Sequence, residues 1–198
     1  MQKQHINTDY KGLKDVVCVI LCGGKSSRMG KDKSLLPFGK YNTMIEYQYS
    51  RLKPYFKDVY ISSKIDKFDF DTKIIYDNSE IYSPMIALKS IFDTLKEEKI
   101  FIITVDTPLV TIPTIKELFL NSFDSDACVA KTEEKIHNLC GFFTYNLYNN
   151  ITNLQNNDIH KVNYLLKISN TKYINFPSND EFININEPYD YESCLKLI

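Results

Sequence analysis

The sequence predicts an α/β fold with a mostly parallel sheet, and three observations carry that expectation. Residues 16–21 form an unbroken apolar, largely β-branched run that leads into Gly23-Gly24, as a strand buried on both faces of a parallel sheet does. Further short apolar runs alternate with stretches of helical spacing, the pattern of repeated strand–helix–strand units. Proline stands in the first turn of two of those helical stretches, at Pro113 and Pro188, where its missing N–H costs nothing.

Each element can be read in turn. Strands are expected at 16–21, 59–62, 73–76, 100–105 and 127–131. A helix over 43–53 spaces Met44, Ile45, Tyr47, Tyr49 and Leu52 at mostly helical intervals, and one over 86–95 does the same with Leu88, Ile91, Phe92 and Leu95. A third covers 112–119. A fourth, over 188–197, turns Tyr191, Cys194, Leu195 and Ile198 to one face and should dock the C-terminus. The Asn-rich stretch 149–158 reads as a mobile connection, and residues 1–14, polar with charges of both signs, as a frayed leader. The whole is expected to be one domain over 1–198, a three-layer α/β/α arrangement around a Rossmann-like sheet. In such sheets ligands sit beyond the carboxyl ends of the strands.

Composition removes several classes of function. With 24 Lys+Arg against 25 Asp+Glu the net charge is −1, so attraction of the whole surface to nucleic acid is not expected. The longest apolar run, 16–22, falls far short of the roughly 20 residues of a membrane helix. The first residues lack the apolar core of a signal peptide. Five cysteines without C-x-x-C spacing favour neither a disulfide framework nor a zinc site, and a reducing cytoplasm is the expected setting.

The chemistry is concentrated in residues 21–33, Leu-Cys-Gly-Gly-Lys-Ser-Ser-Arg-Met-Gly-Lys-Asp-Lys, directly after the first strand. Three glycines let backbone N–H groups wrap phosphate oxygens, while Arg28 offers a planar fork and the lysines point charges. Two better-known phosphate loops do not fit. Gly24 and Gly30 enclose five residues where a Walker A loop has four, and Asp32 follows Lys31 where a hydroxyl should bind magnesium. The G-x-G-x-x-G spacing of dinucleotide-binding proteins is also absent.

The pattern L-x-G-G-x-S-x-R-M-G-x-D-K over 21–33 resembles that of the molybdenum cofactor guanylyltransferases, the MobA family. The resemblance continues through Leu35-Leu36, Gly39, Asp77, Asp106-Thr107-Pro108 and Asn184-Ile185-Asn186. Gly23-Gly24 is closer to guanylyl-transferring members than to cytidylyltransferases, which commonly carry Ala-Gly there. One departure is Ser83-Pro84-Met85 in place of the usual Gly-Pro-Leu, which removes freedom for positive φ beside the substrate pocket.

The resemblance implies a nucleotidyltransferase fold and a set of roles. Asp106 would be the magnesium ligand, since magnesium commonly takes one or two carboxylates plus substrate phosphates and water. Lys33 and Arg28 would neutralise charge on the transferring phosphoryl group and the departing pyrophosphate. Leu21, Cys22 and Gly23 would lie under the base through backbone groups, with Gly24, Ser62 and Asp77 also binding the nucleotide. An ionised carboxylate at Asp77 suits the adjacent N1–H and N2–H₂ donors of guanine, and contact with the ribose is the alternative. Asn184 and Asn186, alternating in a strand-like stretch, and His137 would face the pterin substrate. Local uses compete at several positions: an Asx turn through 77–79, a turn opened by Asp106 before Pro108, a turn before Pro188, and a structural role for His137.

The implied reaction is transfer of GMP from GTP to the terminal phosphate of molybdopterin, giving the guanine dinucleotide form of the cofactor and pyrophosphate. Its partners would be GTP and molybdopterin, with transient contact to other cofactor-biosynthesis proteins or acceptor molybdoenzymes. The alternatives are a related enzyme using CTP on molybdopterin or a sugar phosphate, and a GTP-binding module without turnover. Nucleotide preference separates the first, and pyrophosphate release the second.

Overall fold

The computed structural model describes residues 12–23, 30–77 and 79–198. Most of the expected leader therefore lies outside the described residues, and its last part is not frayed. Leu13, in a 3₁₀ turn over Leu13–Asp15, is fully buried in the core.

Along the chain run β1 (Val17–Leu21), α1 (Met44–Leu52), β2 (Asp58–Ser63), β3 (Lys73–Tyr76), α2 (Pro84–Leu95), β4 (Lys99–Thr104) and α3 (Ile112–Asn121). There follow β5 (Ala127–Lys131), β6 (Ile136–Thr144), α4 (Tyr148–Asn156), α5 (Val162–Ile168), β7 (Thr171–Asn175) and α6 (Pro188–Leu195). One sheet holds the strands in the order β3-β2-β1-β4-β6-β5-β7. Every pairing is parallel except the two made by β6, which runs antiparallel to both β4 and β5. The five expected strands and four expected helices are all present, each within two residues of its expected bounds.

The strands β6 and β7 and the helices α4 and α5 were not anticipated, and the 149–158 stretch is a correction. It folds as α4, burying Ile151 and Leu154, while its asparagines occupy the other faces of the helix. Its three-residue apolar spacing is easily lost among weak helix formers. Asn184 and Asn186 also depart from expectation, because the chain from 183 to 187 forms no strand.

The first strand explains the layering. Alternate residues of β1 point to opposite faces, and both faces are buried. Cys18 and Ile20 join a core with Ile45 and Leu52 of α1, Ile115 and Leu118 of α3, and Cys194 of α6. Val17, Val19 and Leu21 join a second core with Leu88, Ile91 and Phe92 of α2, Ile151 of α4 and Leu165 of α5. The three-layer α/β/α arrangement follows, and all five cysteines are buried on the α1/α3/α6 side.

Helix starts are set by side chains that relieve unpaired N–H groups. Thr43 accepts from the Glu46 N–H, Ser83 from Ile86 and Thr111 from Thr114. At α6 the Asp190 carboxylate accepts from the N–H groups of Asn186 and Glu187, fixing the segment that leads into the helix.

Candidate active site

Parallel register brings the ends of β1, β2 and β4 to one edge, where Leu21 lies beside Ser62 on one side and Thr104 on the other. The chain then leaves the sheet through Cys22-Gly23, Ser63-Lys64 and Val105-Asp106. Between these exits and the start of α2 opens a cleft of about 280 Å³. Leu21, Gly23, Thr104 and Asp106 line its floor and one side, and Ser62, Ser63, Lys64, Asp77, Tyr82 and Ser83 the other.

Lys33 organises one end. It sits in a 3₁₀ turn over Lys33–Leu35 that is capped by Asp32, whose carboxylate accepts from the N–H and hydroxyl of Ser34 and pairs with Lys67. Burial opposes ionisation of Asp32, but the hydrogen bonds from Lys67 and Ser34 outweigh it and hold the carboxyl below its usual range. Just before, Gly30 has φ +65°, a conformation that glycine adopts without strain. From this turn Lys33 Nζ reaches Asp106 Oδ2 at 2.7 Å, the Ile185 carbonyl at 2.8 Å and Asn186 Oδ1 at 3.2 Å. The Ile185 N–H in turn donates to the Asp106 carbonyl at 2.8 Å. Three landmarks more than 70 residues apart in sequence thus form one cluster. Asn184 is half-buried next to it and makes none of these contacts.

Asp106 uses only Oδ2 in this cluster. Among the described residues no group of three or more His, Cys, Asp or Glu side chains could cage a metal ion. One hard carboxylate facing a cleft suits a magnesium ion that finds its other oxygens on phosphates and water.

At the other end Asp77 is buried, with its carboxylate held from two sides. Oδ1 accepts from the Ser79 N–H at 3.1 Å, the Asx turn expected as its local use, and Oδ2 pairs with Lys64 at 3.3 Å. Lys64 Nζ also donates to the Ser79 and Ile81 carbonyls and lies 4.7 Å from the centre of the Tyr82 ring. One ammonium therefore shapes the whole turn that carries Asp77 and Tyr82. Ser63, Lys64 and Tyr82 are site residues that sequence reasoning does not single out, because a serine or lysine at a strand end and a tyrosine in a turn carry no signal until the strands are paired.

The glycine missing from Ser83-Pro84-Met85 leaves no strain, since Ser83 is extended at φ −139° and serves as the cap of α2. His137 shares no hydrogen bond with this cluster. It is buried on β6, stacked on Phe182 at 4.3 Å and 3.3 Å from the Thr132 hydroxyl, and is absent from the cleft lining. Burial, with help from the charge of Lys135, pushes its pKa down to about 4. Cys22 is buried, its N–H donating to the Ser62 carbonyl. Gly24 and Arg28 lie outside the described residues.

Residues 18–170 match the model of the MobA-like NTP transferase domain. A Campylobacter jejuni protein named molybdenum cofactor guanylyltransferase is 38% identical over 183 residues, covering 91% of this chain and 95% of its own length. A Helicobacter pylori protein of the same name is 32% identical, with 94% of each chain covered. Among solved structures, molybdopterin-guanine dinucleotide biosynthesis protein A from Archaeoglobus fulgidus superposes with a TM-score of 0.78 at 16% identity, over 92% of this chain and 98% of its own. A putative Aquifex aeolicus protein superposes at 0.72 with 30% identity, over 87% and 94%. On the sequence match across most of its length and the site built at the edge of its sheet, the chain belongs to the MobA-like NTP transferase family.

Proposed function

We propose that this protein transfers GMP from GTP to the terminal phosphate of molybdopterin, forming the guanine dinucleotide cofactor and releasing pyrophosphate. The observation that carries the reading is the Lys33–Asp106–Asn186 cluster at the mouth of the cleft, in a chain whose relatives bear the guanylyltransferase name. In the reaction an oxygen of the acceptor phosphate bonds to the α-phosphorus of GTP. The bond from that phosphorus to the bridging oxygen breaks in line, and its electron pair leaves with pyrophosphate.

Little beyond placement and charge compensation is needed. Lys33, held in place by three acceptors, presents a positive charge where negative charge gathers on the phosphoryl oxygens. Asp106 would hold magnesium, which when bound neutralises phosphate charge and orients the oxygens around phosphorus. Arg28, outside the described residues, would add a second cation from the loop. Leu21, Cys22 and Gly23 would support the base from below, Gly24 would also bind the nucleotide, and Ser62 and Asp77 would read it from the side. Asn186, and beside it Asn184, would border the pterin end. No helix among the described residues is long and apolar enough to cross a membrane, and five free thiols suit a cytoplasmic setting.

A thermal-shift comparison of GTP, CTP, ATP and UTP, each with magnesium, tests the nucleotide. A ligand specific for the folded state stabilises it by roughly 2.7 kcal/mol at a hundredfold excess over Kd. Selective stabilisation by GTP, with release of pyrophosphate when molybdopterin is added, is expected. A preference for CTP would transfer the protein to the cytidylyl-transferring side, and tight GTP binding without pyrophosphate release would make it a binding module.

A further inference from the structure

Ser83 lines the cleft and is 6% exposed, yet its hydroxyl is already engaged. Its Oγ accepts from the Ile86 N–H at 3.4 Å and lies 3.0 Å from His160 Nδ1. The far side of the same ring, Nε2, lies 3.0 Å from Asp158 Oδ1. Asp158 and His160 belong to the connection between α4 and α5, which the resemblance did not include in the nucleotide site.

The protons in this chain can be assigned by counting donors. A carboxylate only accepts, so Nε2 of the imidazole carries the hydrogen toward Asp158. With the ring neutral, Nδ1 is then bare and accepts, and among the described residues the proton placed beside it is that of the Ser83 hydroxyl. Ser83 Oγ thus gives its hydrogen away from the cleft and receives one from Ile86. What remains for a ligand is a lone pair. Its neighbours on the same wall are alike: Ser63 donates its hydroxyl to the Ile65 carbonyl at 2.9 Å, and Asp77 is a carboxylate. Ser63, Asp77 and Ser83 therefore offer acceptors to a ligand that brings donors, while the Lys64 ammonium beside them is spent on Asp77 and the Ser79 and Ile81 carbonyls.

We infer that Asp158 and His160 fix Ser83 as a hydrogen-bond acceptor for an N–H or O–H donor of the bound nucleotide, making Ser83 a specificity-determining residue and His160 its positioning residue. The inference rests on the GTP reading above and adds to it a residue pair from the second half of the chain. Two sources can supply the donor, the exocyclic amine of guanine, absent from ITP, or the ribose 2′-hydroxyl, absent from 2′-deoxyGTP, and the two analogues tell them apart.

The test is calorimetric binding of GTP, ITP and 2′-deoxyGTP, each with magnesium, to the full chain and to Ser83→Gly, His160→Phe and His160→Gln. The wild type should bind GTP about tenfold more tightly than one of the two analogues, the size of one hydrogen bond. Ser83→Gly and His160→Phe should each weaken GTP by about that factor and leave the affected analogue unchanged, so that discrimination disappears. The double variant should be no worse than either single one. His160→Gln, whose amide oxygen can still accept from Ser83, should keep the discrimination, and unchanged melting temperatures would show that the fold is intact. Equal wild-type affinity for all three nucleotides overturns the proposal. So does a loss in Ser83→Gly and His160→Phe that is the same for GTP and both analogues, or no loss at all; in these cases GTP binding by the wild type leaves the functional reading standing. No binding of GTP to the wild type removes both.

Discussion

Lys33 ties together the turn after the nucleotide loop, the end of β4 and the segment before α6, so its loss should be felt in rate more than in folding. We expect Lys33→Met and Asp106→Asn each to lower kcat by about 10² to 10³, the usual effect of removing one charge-stabilising group. Steady-state kinetics with GTP and molybdopterin, beside a melting curve, would check it. Wild-type turnover in Asp106→Asn would remove the proposed metal site. Lys64 belongs to another class. It organises Asp77 and the Ser79 and Ile81 carbonyls, so Lys64→Met should raise the KM for GTP about tenfold with little change in kcat, as expected for a charge-assisted hydrogen bond acting through position. Asp106 and Lys33 could be picked out of the sequence because Lys33 closes one recognisable motif and Asp106 opens another. Lys64 could not, since its partners lie 13 to 17 residues further on and meet it only after β2 and β3 pair.

Among the elements, the first half of the chain was the easier to read. There, strand and helix alternate with parallel crossovers, caps and prolines mark the starts, and apolar runs are long. Beyond β5 the signals weaken: β6 carries His137 and Asn138 among its first residues, and α4 has asparagine at four of its nine positions. Packing against β4 and α2, which no local pattern announces, makes these segments regular. β6 also depends on a single glycine. A Cβ at Gly141 would stand 2.2 Å from the Cys128 carbonyl oxygen and 2.8 Å from Val129 Cα, where the pairing of β6 with β5 shifts register. Gly141→Ala should therefore destabilise the protein by about 3 kcal/mol, read from the urea midpoint. Ile151→Ala in α4 should cost about 2 to 5 kcal/mol while leaving nucleotide affinity of the folded fraction unchanged.

For the molecule as a whole, stability should depend on pH through His137. Its folded pKa of about 4 lies below the usual 6.5, so between those values the unfolded chain binds a proton that the folded one refuses. Stability is then fully present above about 6.5, falls as pH drops toward 4, and levels below it as far as this group is concerned. The loss should be about 3 kcal/mol, and His137→Phe should flatten this part of the denaturation profile. The ion-paired Asp32 adds a separate decline at lower pH, because its depressed carboxyl is protonated in the unfolded chain first. A different consequence follows from the distribution of sulfur. All five thiols sit under the α1/α3/α6 layer and none under the other, and burial pushes Cys22 and Cys128 up to about 11 and Cys140 up to about 12. Alkylation of the native protein should be slow, and each adduct should record an opening of one side of the sheet only. The molecule thus carries a chemical clock for one of its two faces, with Cys194 ticking for the detachment of α6 and Cys18 for the exposure of β1.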